Sequence, residues 1–243
     1  MGRAASVLSG RAGAIALILA ALVVYYAVSE SLWSTSDRWD VAFLAAVLLP
    51  VVFTLVLLAL PARHARGLLP FGLALAALAA LLGLAGLDVA SNFAKLAAVT
   101  AIGFWFLGYF ETANWVALVA FIIPWVDAWS VFRGPTGEIV ENHGEVFGAF
   151  SFAFPIPGEQ AAANLGLPDF LFFALFLAAT ARFGLRQRLT WAAMTASFGL
   201  TMVLAVGFDV IGLPALPLLS LAFLAVNADL LWRRARQREA AAV

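Results

Sequence analysis

The sequence predicts an all-α membrane protein, a polytopic bundle of about eight transmembrane helices. Hydrophobic residues make up 64% of the 243 and charged residues only 12%, with a mean hydropathy of +1.00. A soluble domain of this size has no interior large enough to hide so much apolar surface. Apolar stretches recur near residues 12–29, 40–60, 68–87, 91–110, 112–132, 167–183, 189–208 and 212–231, each close to the ~20 residues that cross a hydrocarbon core of ~30 Å. Sustained alternation over strand-length segments is missing from them, and lipid admits no open sheet edge, so they are expected to be helices.

The first stretch follows Arg3 and Arg11 and ends in Ala27-Val28-Ser29, a possible signal-peptidase site. Its apolar run exceeds the usual ~7–15 residues of a signal peptide, which favours a retained helix. The Ala/Leu-rich run over 73–87 reads as lipid-facing helix, and no repeat of 20–50 residues is present. The chain therefore reads as one domain, 1–243: N-terminal helices over 1–111, further helices over 112–231 and a basic tail over 232–243.

Arginines cluster at Arg3 and Arg11, at Arg63 and Arg66, at Arg182, Arg186 and Arg188, and at Arg233, Arg234, Arg236 and Arg238. With eight spans all four clusters fall on one side, so both termini are expected in the cytoplasm. The connection over 133–166, with Glu138, Glu141, Glu145 and Glu159, then lies outside. The lipid bilayer is the one partner this composition requires. A formal net charge of +0 gives no reason to expect nucleic acid, and the absence of cysteine excludes disulfides and thiolate metal sites.

The acids can be placed in depth. The fifth segment runs outward and carries Asp127 about five residues before its outer end, roughly 8 Å deep at 1.5 Å per residue. The sixth runs back inward with Asp169 in its first turns. An aspartate at mid-helix costs roughly 2.5–3.5 kcal/mol on insertion scales, so intramembrane acids are usually paired, wet or functional. Two at one level on consecutive antiparallel helices suggest a pair, although near the interface a carboxylate also reaches water at little cost. Asp40, Asp88 and Asp209 fall at helix ends, Asp229 can pair with Arg233 at i, i+4, and Lys95 and Glu111 read as interfacial anchors.

Three motifs surround the pair. Trp115-Val-Ala-Leu118 and Pro124-Trp-Val-Asp127-Ala-Trp-Ser-Val131-Phe132-Arg-Gly134-Pro135, with the later Val140-Glu141, form the first. Gly166-Leu167-Pro168-Asp169-Phe170 is the second and Pro214-Ala215-Leu216 the third. In this order they resemble the presenilin and signal peptide peptidase family of intramembrane aspartyl proteases, as a divergent prokaryotic-type member: the first catalytic helix and its exit, the G-x-G-D motif opening the second, and the Pro-Ala-Leu motif before the last helix. The resemblance covers about residues 112–231 and implies a presenilin-like arrangement of the last helices in a prokaryotic cell membrane. It implies catalytic Asp127 and Asp169, with Gly166 and Pro168 structural, Pro214, Ala215 and Leu216 at the substrate, and single-span membrane proteins or peptides as substrates. One N-terminal span of the family's nine is missing, and cytoplasmic termini resemble the signal peptide peptidase orientation. Val126 stands where the family has tyrosine, removing a hydroxyl. Pro168 stands where it has glycine, fixing φ and deleting an N–H.

Two aspartates at one depth suffice for peptide hydrolysis, with no metal or organic cofactor. Like charges a few ångströms apart in a low dielectric share a proton, so one carboxylate activates water while the other polarises the carbonyl. A serine mechanism needs an embedded serine and histidine, and a zinc mechanism needs H-E-x-x-H. The only histidines, His64 and His143, lie in connections, and Glu141-Asn-His143-Gly-Glu145 reads as a solvated acidic loop rather than a metal site. A prepilin-peptidase-like enzyme would leave the Pro-Ala-Leu element unexplained. An inactive homologue and a proton-coupled transporter using the same acids are the alternatives. Between the aspartates, Phe150, Phe152 and Phe154 alternate with Ser151 and Ala153, the period-two pattern of a strand that could offer a substrate backbone hydrogen bonds.

Overall fold

The computed structural model describes residues 2–134, 144–208, 210 and 213–242. Pro135, Glu138, Val140, the Glu141 to His143 stretch and Asp209 lie outside the described residues. Each of the eight apolar segments is helical. The elements are α1 (Gly2–Val28), α2 (Asp37–Phe43), α3 (Leu49–Ala59), α4 (Leu68–Leu84), α5 (Asp88–Phe106) and α6 (Ala113–Arg133). After them come a short α7 (Gly144–Ala149), a hairpin of β1 (Ser151–Pro155) and β2 (Ala162–Gly166), then α8 (Leu167–Arg182), α9 (Gln187–Gly207) and α10 (Leu216–Ala242). Among the described residues six helical stretches are long and apolar enough to cross a membrane, with α2 and α3 joined as one of them. The 17-residue α4 and 16-residue α8 are shorter. The chain is an all-α polytopic membrane bundle with one two-stranded sheet among the described residues.

The junction of α2 and α3 is a π-helical turn, Leu44–Leu48, which ends two residues before Pro50. Proline offers no N–H and its ring crowds the preceding turn, and a wider turn relieves both faults without breaking the span. At the centre stands α8. Phe170 and every residue from Phe173 to Ala179 are fully buried, so this helix is apolar all round because it meets protein on all sides. Gly103 lets α5 approach it closely: a Cβ there would lie 2.7 Å from the Leu171 carbonyl oxygen.

Aromatic rings join the layers. Phe53 of α3 stacks on Phe173 of α8 at 4.0 Å between centroids and on Phe198 of α9 at 5.0 Å. Phe170 extends the stack, and Phe152 of β1 packs on it at 5.2 Å. Such pairs add roughly 0.5–1.5 kcal/mol each beyond their buried area.

The hairpin is antiparallel, with Ser151 opposite Gly166 and Pro155 opposite Ala162. Bonds from Leu167 N–H to the Phe150 carbonyl and from Ile156 N–H to the Ala161 carbonyl fix which residues face the partner strand. Ser151, Ala153 and Pro155 thus turn their backbone groups away from β2, and side chains from α1 and α5 meet them. Asn92 accepts from Ala153 N–H at 2.9 Å and donates to its carbonyl at 2.8 Å. Tyr26 donates to that same carbonyl and Tyr25 to Pro155, both at 2.7 Å. Lys95 donates to Gly148 and Ser151, so it is a hairpin anchor rather than an interfacial one.

One expected pair is different. Asp229 is bound not by Arg233 but by Arg186, through Nη1 at 2.5 Å and Nη2 at 2.8 Å. The turn before α9 brings Arg186 alongside α10, where its N–H also donates to Asn227. A forked guanidinium across two helices matches a carboxylate better than a neighbour on the same helix.

Candidate active site

Asp127 sits on α6 three residues after Pro124, which lies inside the helix and offers no N–H to the carbonyl one turn earlier. Its carboxylate is half-buried. Oδ2 accepts a hydrogen bond of 3.1 Å from the N–H of Leu216, the first residue of α10. The first N–H groups of a helix have no partner within it, and an anion there also meets the positive end of the helix dipole. Asp127 therefore caps α10 from a different helix. The motif residues Pro214, Ala215 and Leu216 are all buried at this junction. They meet Asp127 through the backbone of Leu216.

Asp169 is the third residue of α8 and is 9% exposed. Its carboxylate accepts the N–H of Gly166, the residue that caps its own helix. This is the returning half of a capping box. A Cβ on residue 166 would lie 3.2 Å from Asp169 Oδ2, so glycine leaves the carboxylate room to turn back. Pro168 stands in the first turn of α8, where no N–H is called for and a fixed φ suits the helix. Proline at this position therefore costs the helix start no hydrogen bond.

The carboxyls of Asp127 and Asp169 lie within Coulombic reach of each other. Helices α6, α8 and α10 pack against one another there. Val126 is 52% exposed, with the exposed Trp125 and Trp129 on the outer face of α6. That face carries little protein cover.

The three phenylalanines separate. Phe152 and Phe154 are fully buried, 4.9 Å apart and both packed toward Phe170, so their rings anchor the hairpin and do not face a ligand. Phe150 lies in the turn before β1 and is exposed. The outer edge of β1 is occupied by Asn92, Tyr25, Tyr26 and Lys95. The edge only partly used is that of β2, where Ala162, Asn164 and Gly166 face away from β1: the Ala162 carbonyl accepts from Asn164 Nδ2 at 3.3 Å and the Gly166 N–H is bonded to Asp169. Sequence reasoning missed Asn92, although a buried asparagine inside an apolar span is a signal of its own. Among the described residues no three His, Asp or Glu side chains converge as a metal site.

The cap makes a measurable claim. Asp127→Ala should lower stability by about 1 kcal/mol in thermal unfolding of the detergent-solubilised protein, and Asp127→Asn by much less, because the amide oxygen still accepts from Leu216. Equal losses would show that Asp127 does not cap α10. No family model and no curated protein matches the chain, so its chemistry has to be read from the carboxyl pair itself.

Proposed function

We propose that the chain is an intramembrane aspartyl protease of the presenilin and signal peptide peptidase type, hydrolysing peptide bonds of single-span membrane proteins or peptides with Asp127 and Asp169. The observation that supports this most is convergence. Segments 87 and 42 residues from Asp127 along the chain, at Pro214 and at Gly-x-Pro-Asp169, arrive at the same carboxylate. Asp127 bonds the backbone of the one and lies in Coulombic reach of the acid of the other.

In this mechanism the pair holds one proton. The ionised carboxylate takes a proton from water as the water oxygen bonds to the scissile carbon. The protonated carboxyl gives its proton to the carbonyl oxygen. The resulting diol collapses as the C–N bond breaks and the amine leaves with a proton. The titration belongs to the pair, so neither aspartate has a fixed role. The uncovered face of α6 gives a helical substrate lateral entry from lipid. Its unwound backbone gains partners along the open edge of β2, which leads directly into Gly166 and Asp169. By the positive-inside rule this reading puts both termini and all four arginine clusters on the cytoplasmic side and the hairpin on the other.

A second reading, a homologue without catalysis, is favoured by the structural task each carboxylate already has at a helix start. Nothing in the fold specifically favours a proton-coupled transporter.

Cleavage of a single-span reporter by the purified protein separates these. Asp127→Asn and Asp169→Asn should each abolish cleavage while the helical fold persists, and activity surviving in either, with wild type active, excludes the dyad. Asn164→Pro should impair cleavage of a helical substrate more than of a short extended peptide, since it deletes a donor on the open edge and spares the β1–β2 backbone bonds, losing only the Asn164 side-chain bonds with Ser151 and Ala162. Equal effects on both substrates would exclude strand addition there. The chain has no cysteine, so a single Gln160→Cys should react with an impermeant reagent added outside intact cells; labelling only after lysis would reverse the orientation.

A further inference from the structure

Three helix ends meet at the end of the bundle opposite the aspartates. They are the turn Leu60–His64 after α3, Leu107 and Gly108 after α5, and Arg182 closing α8. They enclose a cavity of about 440 Å³ that Arg63, His64 and Arg182 line together with Trp105, and no carboxylate is in its wall. Arg63 Nη1 donates to the Leu60 carbonyl at 3.0 Å, and Arg182 Nη1 to the Leu107 carbonyl at 2.7 Å. Each bond fixes a guanidinium at a helix C-terminus and leaves most of its five donors over. Arg63 Nε is buried with no hydrogen-bond partner. Among the described residues the one ion pair is Arg186 with Asp229, so neither arginine of the cavity has a counter-ion.

A second cavity of about 280 Å³ adjoins the first, sharing Leu68 and Phe104 with it. It runs between α1, α3, α4 and α5, walled by Ile15, Leu19, Leu55 and Leu96, and Thr100 is its only polar residue. A basic mouth thus lies beside an apolar groove, with Leu68 and Phe104 in the walls of both.

We propose that this composite cavity binds an anionic phospholipid, with the phosphate between Arg63 and Arg182 and an acyl chain in the groove. Guanidinium forks match phosphate oxygens in geometry and charge. The groove excludes a bare anion as the complete ligand, since phosphate leaves it empty. The absence of a carboxylate disfavours a zwitterionic headgroup, whose ammonium would find two cations and no partner. The site is distinct from the aspartate pair and does not depend on proteolysis.

The full-length protein in detergent would be titrated with phosphatidylglycerol and with phosphatidylcholine and read by native mass spectrometry. Inorganic phosphate would be tested beside them by thermal shift. Phosphatidylglycerol should bind at least about tenfold more tightly than phosphatidylcholine, because two basic side chains attract its net negative charge. The double variant Arg63→Gln/Arg182→Gln should lose that preference, whereas Arg188→Gln, an exposed arginine outside the cavity, should keep it. Ala97→Trp, which fills the groove, should weaken both lipids. Should the Gln variant fold poorly, Arg63→Lys/Arg182→Lys preserves the charge and should retain most of the preference. Equal binding of the two lipids, or a preference that survives the double Gln variant, overturns the proposal. So does inorganic phosphate stabilising as well as phosphatidylglycerol with Ala97→Trp without effect, which would mark a soluble-anion site.

Discussion

Buried backbone that is not helical has to find its hydrogen-bond partners among protein groups, because an unpaired N–H or C=O away from water is costly. The hairpin between α7 and α8 is the largest debt of this kind among the described residues, and the arrangement around it answers to that debt. Its inner edge is settled by β2. Its outer edge is settled by side chains, with Asn92 imitating a neighbouring strand at Ala153 and two tyrosines and a lysine covering the flanking carbonyls. The polar residues of α1 and α5 are therefore not exceptions to an apolar design. They allow a sheet to exist there, and the sheet delivers Gly166 and Asp169 to the centre of the bundle.

The carboxylates obey the same rule. Each is held by a backbone N–H at the start of a helix, one in its own helix and one in another. A group that stabilises a helix start and also faces a second carboxyl is doubly constrained in position. Such constraint is what proton-sharing chemistry requires, since misplacement by an ångström is costly in a reacting site. The glycine before Asp169 and the break before α10 belong to this positioning. Without the first the carboxylate is crowded, and without the second no free N–H points at Asp127.

The spans were legible because each must satisfy its own backbone, which leaves a hydrophobic run of helical length as an almost complete description. The strand was legible from the alternation of Phe152 and Phe154 with small residues. What they face was not, since period two marks a buried side without naming its occupant, and that occupant is Phe170. The edge partners were hidden for another reason: Asn92 lies 61 residues and Tyr26 127 residues from Ala153. Local pattern carries no information at that range. Asp229 was assigned to the nearest arginine along its own helix, and a turn between two other helices supplied a better fork. The motif order brought Pro214 to Asp127 on paper, but the contact is a backbone N–H, which no side-chain pattern encodes.

The distance between Tyr26 and its partner also sets an order of events during synthesis. At roughly 5–20 residues per second, Ala153 is made some ~6–25 s after Tyr26. The first span thus enters the bilayer with two phenolic hydroxyls whose final acceptors have not yet been translated. Until the hairpin arrives, α1 has its apolar surface and the bond from Asn92 to the Tyr26 hydroxyl to hold it. Its docking is therefore a late step in biogenesis, and the hairpin is the clasp that completes it.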